Sequence, residues 1–90
     1  MEYTLNGKVY NVVIGDFLTV GDTAFFQEMA KKHEDNQIRM SAEILKKYTK
    51  EEITVEEIYT MNTDDFTECV QFIEKKIMEI RNNSEKKKKK

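Results

Sequence analysis

Residues 2–14, EYTLNGKVYNVVI, carry the strongest local signal in the chain. Asn6-Gly7 stands between two runs rich in strand-forming residues. A type I′ turn needs positive φ at both central positions, which Asn and Gly accept most readily. A two-residue loop there pairs Leu5 with Lys8, Tyr3 with Tyr10 and Met1 with Val12. Paired residues share a face, so Met1, Tyr3, Leu5, Tyr10, Val12 and Ile14 are expected to lie together. The other face, Glu2, Thr4, Val9, Asn11 and Val13, is mixed. A lone hairpin is marginal in water, so this one is expected to lie on the helices that follow or to pair with the edge of another chain.

Beyond the hairpin the pattern turns helical. Gly15-Asp16 breaks the strand, and Thr19 with Asp22 three residues on reads as a capping box that uses Asp. Phe25, Phe26, Met29, Ala30 and His33 follow at helical spacing, and Met40, Ala42, Ile44, Leu45 and Tyr48 form a second apolar set. Between them HEDNQ is wholly polar, which favours two helices meeting near Glu34–Asn36, the second capped by Asp35 or Asn36. In ITVEEI, Thr54 is an N-cap, Glu57 its N3 partner and Ile53 with Ile58 a hydrophobic staple, giving a short helix over about 55–61. MNTDDF repeats the device, with Asn62 capping, Asp65 at N3 and Met61 stapled to Phe66. The last helix is a single stripe of Phe66, Cys69, Val70, Ile73, Ile77 and Ile80, expected to end near Asn82. The expected fold is α+β: an N-terminal β-hairpin followed by three or four helices, mainly helical. Residues 1–82 are expected to form one small domain, and 83–90 a disordered lysine-rich tail.

Charge divides the chain in the same place. There are 15 Lys and Arg against 17 Asp and Glu, a net charge of −2. Without Lys86–Lys90 the balance is 10 against 17, so residues 1–85 carry −7. An acidic body repels phosphate, which argues against nucleic acid as a partner. Cys69 is the only cysteine, so no internal disulfide forms and a reducing compartment is expected. The opening MEYTLNGK does not read as a signal peptide, and no apolar run is long enough to span a membrane.

No catalytic constellation, metal-ligand set or cofactor motif emerges, and the expectation is a protein that is not an enzyme. His33 is the sole histidine and has no set of ligands of the right type around it. Cys69 falls within the apolar stripe of the last helix, where a thiol is inert. The acidic pairs Glu51-Glu52, Glu56-Glu57 and Asp64-Asp65 lack the alternating oxygen ligands and central Gly of a calcium loop, and capping accounts for two of them. Phe25, Phe26, Met29 and Met40 form an aromatic–methionine cluster. Core packing explains such a cluster, and a groove for an amphipathic helix would use the same residues.

The order of three elements, Thr19-Val20-Gly21-Asp22 in LTVGD, the ITVEEI start, and Asp64-Asp65-Phe66 in MNTDDF, resembles the tail assembly chaperones of long-tailed bacteriophages over residues 3–80. The resemblance implies a non-enzymatic role in the cytoplasm of an infected bacterial host. There the partner is the tape measure protein, or another phage tail protein, kept soluble until the tail tube assembles. It carries over no binding residues. A second reading, from the −7 body, is an anti-defence inhibitor that mimics nucleic acid and blocks a host nuclease. The hairpin edge leaves homo-oligomer formation open. The run Lys86–Lys90 implies an A-rich tract of lysine codons, on which a ribosome can slip; proteins of the resembled family often have a longer, frameshifted form, and this chain would be the short one.

Overall fold

The computed structural model describes the backbone of residues 1–88 and side chains through residue 83. Two strands, β1 (Glu2–Leu5) and β2 (Lys8–Asn11), form the expected antiparallel hairpin. The register is Leu5 with Lys8 and Tyr3 with Tyr10, and the Val12 amide donates to the Met1 carbonyl at 2.7 Å. Asn6 and Gly7 take φ of 52° and 77°, as the turn demands. Four helices follow among the described residues: α1 (Val20–Lys32), α2 (Gln37–Tyr48), α3 (Val55–Ile58) and α4 (Thr63–Lys88). The fold is α+β and mainly helical.

The caps behave as their chemistry requires. The Thr19 and Asp22 side chains each accept from the other's backbone amide, closing a capping box on α1. Thr54 and Glu57 do the same on α3. Asn36 caps α2 by accepting from the Arg39 amide at 3.0 Å, so the polar HEDNQ stretch is a break between two helices. Asn62 accepts from the amide of Asp64 at 2.9 Å, one residue earlier than the expected N3 bond.

Two helices differ in length from the sequence reading. α3 stops at Ile58, because the amides of Thr60 and Met61 bond three residues back and tighten the chain before Asn62 begins the next cap. α4 runs through Asn82 to Lys88, since Asn82, Asn83, Ser84 and the residues after them include no Pro or Gly to stop it. The last two lysines of the expected tail lie outside the described residues.

The core joins the hairpin to the helices. Tyr3, Leu5, Tyr10 and Val12 from the hairpin are buried with Ala42, Leu45 and Tyr48 of α2, Ile53, Val55 and Ile58 around α3, and Cys69 and Ile73 of α4. Tyr3 and Tyr10 stack at 5.3 Å between ring centroids. Met1, expected on this face, stays exposed at its end. The outer side of β2 is not a free edge along its whole length. The Lys50 amide donates to the Asn11 carbonyl and the Val13 amide to the Tyr48 carbonyl, each at 2.8 Å. The Glu51 carboxylate then accepts from both the backbone amide (2.7 Å) and the side-chain amide (2.8 Å) of Asn11. The segment after α2 is thus bridged to the end of the hairpin, Thr49 opposite Val12, and held there by a two-point clamp. This explains how a hairpin that is marginal alone is fixed on the body.

Candidate functional site

Asp22 links the N-terminus of α1 to the C-terminus of α2. One carboxylate oxygen accepts from the Thr19 amide at 2.8 Å; the other accepts from the Tyr48 hydroxyl at 3.2 Å and lies 3.5 Å from the Lys47 ammonium. The Thr19 amide in particular holds the Asp22 carboxyl below the usual carboxylate range. Burial, with the neighbouring Asp22 charge, pushes the Tyr48 hydroxyl up to about 12. These are structural bonds within the residues that carried the sequence resemblance at Thr19–Asp22.

Of the four candidate partner residues, Phe25 and Phe26 sit at this junction, and the four do not form one open surface. Met29 is buried. Phe26 packs against the core with its ring 6.3 Å from Tyr48. Phe25 meets Phe26 edge-on at 5.9 Å, and the Lys47 ammonium covers its ring at 4.9 Å. Met40 is half-buried in the first turn of α2. Of the four, Phe26 lines a groove, shared with Ile44, Glu74, Ile77, Met78 and Arg81.

A second, more enclosed apolar surface involves the first turn of α2. A cleft of about 420 Å³ is lined by Ile38, Ile58, Tyr59, Met61, Thr63, Phe66 and Thr67. Ile58 is its buried floor, and Met61 and Phe66 are half-buried walls. Ile38 and Tyr59 are rim residues, 66% and 50% exposed, and together with the floor they make a contiguous apolar lining. The lining offers hydroxyls from Tyr59, Thr63 and Thr67 and no carboxylate, amine or imidazole. Such a lining suits an apolar group with a few hydroxyls to orient it. Its walls are built by the two consecutive caps, since Ile58 and Tyr59 end the turn begun at Thr54 and Phe66 follows the cap at Asn62.

Sequence reading passed over Ile38 and Tyr59. Ile38 precedes Ala42 by four residues and Leu45 by seven, so it continues the buried stripe of α2 beyond the edge of the core. That overhang was the available signal. Tyr59 had none, because it looked like one more residue of a helix that in fact ends at Ile58.

The reactive side chains are disposed otherwise. His33 is the C-cap of α1, where its backbone amide donates to the Met29 carbonyl. Cys69 is buried, and burial, with Asp65 and Glu68 nearby, pushes its thiol up to about 11. It is therefore a neutral thiol at physiological pH. Among the described residues, no three of His, Cys, Asp and Glu come together to hold a metal, and no helix is long and apolar enough to cross a membrane. Compared with protein-family models, curated proteins and solved structures, the chain matches none.

Proposed function

We propose that this chain is a tail assembly chaperone of a long-tailed phage, and that it binds an apolar helical stretch of the tape measure protein to keep it soluble. The observation that carries the reading is the cleft between α2, α3 and α4, whose exposed rim residues Ile38 and Tyr59 stand over an apolar floor with no ionisable group. An amphipathic helix seats two or three anchors spaced i, i+3 or i+4 in such a cleft. A long helix with exposed apolar stripes needs cover of this kind until its assembly partner arrives. The order of LTVGD, ITVEEI and MNTDDF along the chain supplies the family context.

The rival reading, a nucleic-acid mimic, needs carboxylates free to face a nuclease. Asp22, Glu51 and Glu57 are engaged in caps and in the hairpin clamp, and the exposed carboxylates are distributed over β1, α1, α3, α4 and the loops between them. The test is co-expression with the tape measure protein encoded downstream. The wild-type chain is expected to move that protein from pellet to supernatant, and Ile38→Asp to abolish the shift while leaving the chain folded. Equal tape measure solubility with and without the wild-type chain refutes the proposal.

A further inference from the structure

The second groove, between α1, α2 and α4, carries a charge pattern that matches itself. It is lined by Phe26 of α1, Ile44 of α2, and Glu74, Ile77, Met78 and Arg81 of α4. Met78 is 65% exposed beside the half-buried Ile77. Glu74 and Arg81 are both exposed and, among the described residues, neither forms an ion pair within the chain. They are seven residues apart, two helical turns on one side of α4, with Ile77 and Met78 midway between them.

We infer that this groove is the contact between two copies of the chain, paired antiparallel through α4 about a twofold axis at Ile77–Met78. A twofold contact is isologous: if residue i meets residue j, then j meets i. An axis midway between residues 77 and 78 sets Glu74 of each copy against Arg81 of the other, and Ile77 against Met78. Both ion pairs then flank an apolar centre, the arrangement of a helix–helix contact at about 8–10 Å between axes. A parallel pair would place Glu74 against Glu74 and Arg81 against Arg81, so the charges select the antiparallel one. A charged helical partner from another protein would not need this internal symmetry.

The contact is separate from the Ile38–Tyr59 cleft and stands whether or not the cleft binds a tape measure helix. Sedimentation equilibrium of the full chain over about 5–500 µM is expected to show a monomer–dimer equilibrium. Arg81→Glu places two like-charge pairs across the axis and is expected to raise Kd about 10- to 100-fold; Glu74→Arg does the same. The two variants are complementary to each other, so an equimolar mixture is expected to recover wild-type association, and the double variant E74R/R81E to dimerise alone. All of these positions are exposed, and circular dichroism checks that each variant is folded. Four results would each overturn the inference: a wild-type monomer throughout the range, a dimer indifferent to Arg81→Glu, a mixture that stays monomeric, or a groove that responds only to a tape measure fragment.

Discussion

Asp22→Ala should cost about 2 kcal/mol of folding stability, and the structure says how that divides. The variant removes the carboxylate from Thr19, half of a capping box, for roughly 0.5–1 kcal/mol. It removes the acceptor of the Tyr48 hydroxyl, a partly buried charge-assisted bond at 3.2 Å, for about 1 kcal/mol. The Lys47 contact at 3.5 Å is partly open to solvent and adds about 0.3 kcal/mol. Tyr48→Phe keeps the ring against Phe26 and loses only the hydroxyl bond, so it should cost about 1 kcal/mol. Because both variants delete the same bond, D22A/Y48F should cost about 2 kcal/mol and not the additive 3, a coupling of about 1 kcal/mol. Urea unfolding followed by circular dichroism at neutral pH and low salt reads all four corners of the cycle, and Tm should fall by about 4–8 °C per kcal/mol. Additivity within about 0.3 kcal/mol would show that Asp22 and Tyr48 do not meet, and would remove the tie between α1 and α2.

Three further outcomes follow from the same contacts. Asp22 and Glu51 both have carboxyls held low, chiefly by the backbone amides of Thr19 and Asn11. Groups depressed in the folded state stabilise it above their unfolded pKa of about 4, so the chain should lose stability as pH falls through and below that value; E51Q should flatten the acid limb of a pH–Tm curve. At the alkaline end, Tyr48 is raised to about 12, so its contribution is complete below its ordinary value near 10 and is lost as pH rises toward 12; burial also raises Tyr3, so absorbance at 295 nm should show late titration from both, and Tyr48→Phe should reduce its amplitude by one tyrosine. The Cys69 thiol should react with a disulfide reagent at the rate of global opening and promptly in urea, and immediate reaction in the native state would contradict its burial.

The hairpin and every helix start could be read from the sequence because local chemistry fixes them. Asn6-Gly7 tolerates the two positive φ values, and Thr19, Asn36, Thr54 and Asn62 each satisfy backbone amides within three residues. Helix ends were less legible. α3 is closed early by the tight turn into Asn62, a compromise between two neighbouring caps, and α4 meets no breaker before Lys88. The clamp of Glu51 on Asn11 joins residues 40 positions apart and left no periodic trace. The candidate surface suffered from the same limit. Periodicity marks which residues share a helix face, and so it found Phe26 and Met29, but it does not say where a stripe overruns its cover. Ile38 and Met78 became visible only once the packing of α2 and α4 was known.

The most direct measurement of the central claim is the affinity of a labelled tape measure helical segment for the purified chain, by fluorescence anisotropy, with amide shifts mapped by NMR. Shifts are expected at Ile38, Tyr59, Met61 and Phe66. Ile38→Asp is expected to cost about 2 kcal/mol, close to 30-fold in Kd, from lost apolar burial. Saturable binding with that footprint supports the account; no binding, or binding indifferent to Ile38→Asp with shifts elsewhere, contradicts it.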